Sequence, residues 1–128
     1  MKKRIGFIVL LIAVTTGMAF AKDGRDIEFT TYGDPTAGDV WINSVKEALQ
    51  GVNISYGCKP ANKLVEVDFD FTAYYEDGSS KSWTNHETWL SARRNSTWRF
   101  ALLSASKVTS ITISWTRTNP PAFAPLKL

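Results

Sequence analysis

The chain has 128 residues, a formal net charge of +3 at pH 7, and hydrophobic side chains at 44% of its positions. The excess positive charge lies at the start: without Lys2, Lys3 and Arg4 the 15 basic residues fall to 12, which equals the 12 acidic ones. A balanced chain lacks the basic footprint typical of proteins that bind nucleic acid or anionic lipid. We therefore expect no nucleic-acid partner.

The first 21 residues have the three parts of a secretory signal peptide. A basic start at Lys2–Arg4 precedes an apolar stretch at 5–14, and Ala19-Phe20-Ala21 forms the small-x-small site that signal peptidase cleaves. The apolar stretch is shorter than the roughly 18 to 20 residues that a membrane span requires. The sequence predicts an exported bacterial protein, periplasmic or secreted, that is cleaved after Ala21 and does not insert into the membrane afterwards.

Residues 22–118 are predicted to form a single domain, since a domain near 100 residues buries roughly two thirds of its unfolded surface. Residues 119–128 contain three prolines and are expected to be an extended tail, because proline cannot donate to a strand ladder. Cys58 is the only cysteine, so no disulfide can form within the chain. Free cysteines are among the most buried residues, and we expect Cys58 to be buried and inert.

The first part of the domain predicts two short strands with an ambiguous segment between them. The segments 27–32 and 52–56 are rich in β-branched and aromatic side chains. The intervening segment 39–50 has apolar residues at helical spacing, although Val40 and Ile42 also fit a strand. Both interpretations stay open. The apolar face of the helix would contain Trp41, Val45, Ala48 and Leu49.

The clearest local pattern runs from Leu64 to Trp83. Apolar residues alternate with polar ones along its first half, which is the period-2 pattern of a half-buried strand. The predicted core-facing set is Val65, Val67, Phe69, Phe71, Ala73 and Tyr75. Asp77-Gly78 then predicts a hairpin turn, and residues 79–84 return as the partner strand.

The length of this turn decides on which face Trp83 lies. If Asp77 and Gly78 alone form the loop, Trp83 pairs with Thr72 on the solvent face. If the loop has three residues with a bulge at Gly78, Trp83 pairs with Phe71 in the core. The order Glu-Asp-Gly favours the bulged turn, because a type I turn accepts Glu and Asp and leaves the left-handed position to glycine.

The rest of the chain predicts a short irregular element and a second hairpin. A capping-box pattern begins at Thr84 and indicates a short helix or an irregular crossover over 86–94. Strands are predicted at 98–102 and 111–115, and the polar link 104–107 between them predicts that they pair with each other. Several short strands with regular turn signals indicate a sandwich or a barrel.

One part of the chain resembles a known family. The segment Phe71–Gly78 (FTAYYEDG), followed by Leu90, Arg94-Asn95 and Trp98-Arg99-Phe100, resembles the FxLYD-type Ig-like β-sandwich domains of bacterial exported proteins. The chain has Ala73 and Tyr75 where the family usually shows Leu and Asp. The resemblance implies an all-β, antiparallel Ig-like β-sandwich with a binding or accessory role, and it carries over no catalytic residue. We expect this fold, with at most one short helix.

Catalysis is difficult to assemble from these residues. His86 is the only histidine, so Cys58 is its only thiol partner, and no G-x-S-x-G motif presents a serine. Glu66, Asp68 and Asp70 share one strand face at a spacing of about 7 Å, within the range of glycosidase carboxylates. Any acidic strand face shows this spacing, so a small hydrolase using Asp68 and Asp70 is the least favoured alternative. No metal or other cofactor is predicted.

Aromatic residues give the strongest indication of function, with five Trp and four Tyr in the chain. Rings among polar side chains can hold a sugar ring or anchor a protein partner, and if Trp83 is buried this surface shifts to Trp89 and Tyr74. We predict a non-catalytic binding or accessory protein for a protein partner, of inhibitor, immunity or surface-accessory type. The alternative is a carbohydrate-binding module, and the oligomeric state stays open. The candidate binding residues are Tyr74, Trp83, His86, Trp89, Arg93 and Arg94.

Overall fold

A computed structural model of the chain describes residues 24–120, so the predicted signal peptide and residues 121–128 of the predicted tail lie outside the described residues. The described part contains seven strands and a single 3-10 turn at Pro35–Ala37. The strands are β1 (Glu28–Tyr32), β2 (Gly38–Ala48), β3 (Gly51–Pro60), β4 (Val65–Tyr75), β5 (Ser80–Trp89), β6 (Arg93–Ala101) and β7 (Val108–Arg117). Within residues 24–120, no helix is long and apolar enough to cross a bilayer.

The strands form two sheets that pack face to face, so the predicted all-β sandwich is confirmed. One sheet has four strands in the order β1-β7-β4-β5, and the other has three in the order β2-β3-β6. β1 runs parallel to β7, and the other neighbours are antiparallel. Just before β1, the Ile27 backbone N–H donates to the Val45 carbonyl of β2, at 2.9 Å. The first described segment therefore contacts one sheet and then joins the other.

The core is built from the alternating strands of the sequence. Val65, Val67, Phe69 and Phe71 of β4 are all 0% exposed, as the period-2 pattern predicts. From the opposite sheet, Tyr56 of β3 stacks on Trp98 of β6 with ring centroids 3.8 Å apart, and both rings lie within 6.3 Å of Phe69. Cys58 of β3 is buried and unpaired, as expected, and burial raises the pKa of its thiol.

The β4–β5 turn has the predicted three-residue form. Gly78 has a φ of +90°, and the Tyr75 N–H donates to the Ser79 carbonyl at 2.9 Å. Trp83 therefore pairs with Phe71, and their rings stack with centroids 5.2 Å apart. Trp83 is half-buried at the edge of the core, so the predicted core-facing register is confirmed.

Residues 39–50, for which both helix and strand stayed open, form a strand, and the short helix or irregular crossover predicted at 86–94 is wrong, because non-local packing selects strands in both segments. The segment 39–50 contributes most of β2, whose Val40 and Ile42 pack on the core while Trp41 between them faces solvent. The segment 86–94 continues β5 as far as Trp89 and begins β6 at Arg93. Its side chains alternate inward and outward, and a helix would remove these residues from both sheets.

The predicted hairpin between the two C-terminal strands is also wrong. β6 pairs with β3 and β7 pairs with β4, so the link 104–107 crosses from one sheet to the other. Each of these strands has one apolar face, and that pattern is satisfied equally by pairing within a sheet and by facing across the core. The short connection therefore did not identify the partner.

Candidate functional site

The predicted binding residues do not form one surface. Trp89 is 0% exposed, which corrects the hypothesis that it forms a surface ring: it lies on the inward face of β5, within 5.8 Å of Phe69 by ring centroid. Trp83 packs between Phe71 and Phe100, which leaves only part of its ring exposed. Both indoles therefore contribute to packing rather than to a flat exposed surface.

Arg93 lies in a polar cross-link between the two sheets. Its guanidinium donates to Glu87 at 3.1 Å and to the Tyr56 hydroxyl at 3.2 Å. Glu87 also accepts the Trp98 indole N–H at 2.8 Å, so its carboxylate is shared between a charge and an aromatic donor. Burial, together with the charge of Glu87, raises the pKa of Tyr56. Arg94, the next residue, is exposed on β6.

Tyr74 and His86 lie on the solvent face of the four-stranded sheet, far apart. Tyr74 is 44% exposed near the β4–β5 turn, whereas His86 pairs with Asp68, six residues away along β4, or roughly 20 Å. His86 Nδ1 is 2.6 Å from Asp68 Oδ1, and Nε2 is 3.6 Å from Glu66 Oε1. The two residues are separate features of this face.

The same contacts show where the residues of the two catalytic pairings lie. Asp68 is engaged by His86, and Asp70 accepts the Thr84 hydroxyl at 2.8 Å, so each carboxylate of the proposed pair already has a partner. Cys58 is buried on the inward face of β3, whereas His86 faces solvent beyond the other sheet. The core separates these two groups. Among residues 24–120, no three His, Cys, Asp or Glu side chains come together as metal ligands.

The Asp68 contact has a measurable consequence for His86. The hydrogen bond to Asp68, and the charges of Asp68 and Glu66, raise the pKa of His86 above its usual 6.5. A raised pKa in the folded protein means that this contact stabilises the fold below pH 6.5 and that the stabilisation is lost as the pH rises through the raised value.

We expect a proton NMR titration to show the raised pKa directly, because His86 is the only histidine in the chain. In Asp68→Asn, the pKa of His86 should move back toward its usual value, since the main hydrogen-bond acceptor has lost its charge. Thr84→Ala is the matched control, because Thr84 contacts Asp70 and should leave the titration unchanged. A pKa at or below 6.5 in the unsubstituted protein would contradict the geometry.

The most organised surface lies on the other sheet, around Trp41. Trp41 of β2 pairs with Gly57 of β3 and is 40% exposed on the solvent face. A Cβ atom on Gly57 would overlap with three atoms of the indole at nearly equal distances, so the ring presents its face to the glycine. The absence of a side chain at Gly57 lets the indole lie flat on the sheet with its other face toward solvent.

Three polar side chains continue this surface along β3. Asn43 Nδ2 donates to Ser55 Oγ at 3.3 Å and to Asn95 Oδ1 at 3.4 Å, and Ser55 Oγ donates to Asn95 Oδ1 at 3.2 Å. Among the described residues, Asn43 Oδ1 and Asn95 Nδ2 have no hydrogen-bond partner, which leaves one acceptor and one donor available. We call the five residues Trp41, Asn43, Ser55, Gly57 and Asn95 the Trp41 site.

Irregular strand pairing places both asparagines in the Trp41 site. Asn43 is an extra residue in β2, between Ile42 and Ser44 in the pairing with β3. On β6, two residues that include Asn95 stand opposite the single Gly57. β-bulges commonly redirect a side chain next to a functional site. Here two bulges on either side of β3 direct one amide each toward Ser55.

Sequence reasoning missed the Trp41 site. Helix and strand both stayed open for residues 39–50, and the helical alternative placed Trp41 on an apolar face. The alternation of Val40 and Ile42 was the signal that could have placed Trp41 on an outer strand face, beside Asn43. No protein-family model, curated protein or solved structure matches this chain. The resemblance to FxLYD-type domains stays a prediction.

Proposed function

We propose that this chain is an exported, non-catalytic carbohydrate-binding domain, and that a sugar ring stacks on the exposed face of Trp41. The observation that carries this proposal is the indole seated flat on Gly57 beside the amide and hydroxyl groups of the Trp41 site. A binding protein could bind a carbohydrate or a protein partner, and this geometry favours the carbohydrate.

The chemistry of the Trp41 site suits a sugar. A flat aromatic ring provides apolar area at low cost in conformational entropy, because an indole has only two side-chain torsions. The free acceptor on Asn43 and the free donor on Asn95 can bind sugar hydroxyls, which both donate and accept. A few positioned polar groups beside an apolar surface fix the orientation of a small ligand. Holding the ring on the sheet in advance also lowers the cost of binding.

The proposal is tested by isothermal titration calorimetry, after an oligosaccharide array has identified a ligand. We expect Trp41→Ala to raise the Kd at least about tenfold, because a tryptophan that the ligand covers in the complex commonly contributes about 2 kcal/mol or more to binding. Gly57→Ala should weaken binding to a similar degree, since the added methyl group displaces the indole while leaving it in the chain. The melting temperature of Trp41→Ala should change little, because the ring is exposed.

Tyr74→Ala is the matched control for this experiment. Tyr74 is 44% exposed and Trp41 is 40% exposed, but the two rings lie on opposite outer faces of the sandwich. Loss of binding in Tyr74→Ala with full binding in Trp41→Ala would move the site to the four-stranded sheet. Failure of every oligosaccharide on the array to bind would overturn the proposed function.

A protein partner is the second candidate, and one observation favours it. Leu64 and Leu90 flank the Val65–Trp89 pair and are 43% and 71% exposed, so they form an apolar pair at one end of the four-stranded sheet. Exposed apolar pairs of this kind can anchor a protein. Affinity capture from a periplasmic extract that is lost in Leu90→Asp and kept in Trp41→Ala would support this candidate.

A further inference from the structure

The two outer faces of the sandwich carry charges of opposite sign. On the four-stranded sheet, the solvent-facing acidic residues are Glu28, Glu66, Asp68 and Asp70, with the basic residue His86 on the same face, while the exposed Lys81 at the start of β5 is in register with the core-facing Ala73. On the three-stranded sheet, the solvent face carries Lys46, Lys59 and Arg99 with Asp39, and the exposed Arg94 stands beside Asn95 at the β6 bulge opposite Gly57. Residues 22–128 have equal numbers of acidic and basic side chains, but the acidic ones concentrate on one outer face and the basic ones on the other.

The free cations of the three-stranded sheet lie in line with the Trp41 site. Along the outer face of β3 follow Lys59, then Gly57 under Trp41, then Ser55 with its two asparagines, then Asn53, which pairs with Arg99. Lys59 is two residues from Gly57, or roughly 7 Å along the strand. Lys46 is neutralised by Asp26 at 2.7 Å, whereas within residues 24–120 neither Lys59 nor Arg99 forms an ion pair.

We propose that the sugar bound at the Trp41 site is an anionic oligosaccharide, whose carboxylate or sulfate groups contact Lys59 at one end and Arg99 at the other. This inference rests on the proposed carbohydrate-binding function and specifies its ligand. From Lys59 to Asn53, the partner of Arg99, the strand spans six residues, or roughly 20 Å, so a ligand that reaches both cations is longer than a single sugar ring.

The local charges favour anions over neutral sugars. Each cation provides hydrogen-bond donors to an anion, and such charge-assisted bonds are about twice as strong as neutral ones. Asp39 opposes this preference, because it lies directly opposite Lys59 in the strand pairing. The acids of the other sheet are separated from the site by the whole thickness of the sandwich, which exceeds the screening length of about 8 Å at physiological ionic strength.

The test compares sugars that differ only in charge. Oligogalacturonides and their methyl esters, and sulfated oligosaccharides and their desulfated forms, are titrated into the 22–128 chain in 50 mM and 500 mM NaCl. We expect the charged member of at least one pair to bind more tightly, by about three- to tenfold, and to lose this advantage in 500 mM NaCl. Affinity should also rise from the monosaccharide to the oligosaccharide.

Substitutions assign the effect to individual residues. Lys59→Gln and Arg99→Gln should each weaken binding of the anionic sugar about three- to tenfold and leave the neutral form unchanged, whereas Asp39→Asn should strengthen it. Lys63→Gln and Lys107→Gln are matched controls, because both lysines are exposed in loops and not on this face. Equal binding of charged and neutral sugars would overturn this inference while supporting the proposed function. Binding of no sugar would overturn both.

Discussion

Replacing Trp89 with alanine is expected to lower the free energy of unfolding by about 3 to 5 kcal/mol, without affecting ligand binding directly. Trp89 is fully buried at the end of β5, where it pairs with Val65 and packs against Phe69. Its removal leaves a cavity that rigid strands cannot close. Urea denaturation followed by far-UV circular dichroism measures the loss, and the same substitution at the exposed Trp41 should cost much less.

A phenylalanine at the same position separates packing from hydrogen bonding. The indole N–H of Trp89 is buried and has no hydrogen-bond partner among residues 24–120, whereas that of Trp98 donates to Glu87 at 2.8 Å. Trp89→Phe should therefore be milder than Trp98→Phe, because only the second substitution removes a hydrogen bond to a charged group, worth about 1.5 to 3 kcal/mol. If the denaturation midpoint of Trp89→Ala equals that of the unsubstituted chain, Trp89 does not pack in the core and this prediction is wrong.

The second large effect is expected at Arg117, the last residue of β7. Arg117 is 9% exposed, and its guanidinium donates to a set of oxygens at one end of the sandwich. The acceptors are Thr36 O, Asn62 Oδ1, Leu64 O, Asn119 Oδ1 and Pro120 O, at distances between 2.7 and 3.4 Å. One side chain thereby joins the 3-10 turn, the β3–β4 loop and the segment after β7.

We expect Arg117→Met to lower the free energy of unfolding by about 3 to 5 kcal/mol, because several partly buried oxygens lose their donors at once. Methionine keeps much of the apolar stem, so the decrease in the free energy of unfolding measures the contribution of the guanidinium hydrogen bonds rather than that of packing. Arg117→Lys should recover only part of the stability, since an ammonium has three donors and no planar fork. Urea midpoints for the three chains provide the measurement. An unchanged midpoint in Arg117→Met would show that these hydrogen bonds are replaced by water without cost.

Asp34 adds a pH dependence to the same end of the molecule. Hydrogen bonds from the Arg117 backbone N–H and from Thr36 hold the pKa of Asp34 below its usual 3.8. Because the pKa of Asp34 is lowered in the folded state, these contacts stabilise the protein fully above pH 3.8. The stabilisation is lost as the pH falls through the lowered pKa of the folded protein.

Local patterns predicted the strands that carry the core. The alternation in β4 and the Glu-Asp-Gly order of its turn were sufficient to place Phe71 opposite Trp83, because both depend on residues within one hairpin. Local patterns left β2 undecided between helix and strand, and they failed at the end of β5. The end of β5 pairs with residues more than twenty positions away, such as Trp89 with Val65, and the first half of β2 pairs with residues more than ten positions away, such as Trp41 with Gly57.

The candidate site was predicted less well than the fold. Tyr74 lies on the polar face of β4 as the alternation predicts, but His86 lies in strand β5 rather than in the predicted crossover, and Trp89, a candidate surface ring, is buried. A capping-box pattern suggested that the chain leaves the sheet before Trp89, whereas β5 continues through it. Because β5 continues through Trp89, this ring lies at an inward position of the strand and is a core residue.

By itself, the sequence determined the β-rich character of the domain, the core face of β4, the lack of an internal disulfide and the balance of charge, since these depend on composition or on period-2 alternation. Only the tertiary structure decided which strands pair, and hence that Trp41 lies on Gly57, that bulges in β2 and β6 direct Asn43 and Asn95 toward Ser55, and that the acids and the free cations occupy opposite faces. The physical reason is that strand pairing and register join residues distant in the chain, and a shift of one residue exchanges the two faces of a strand.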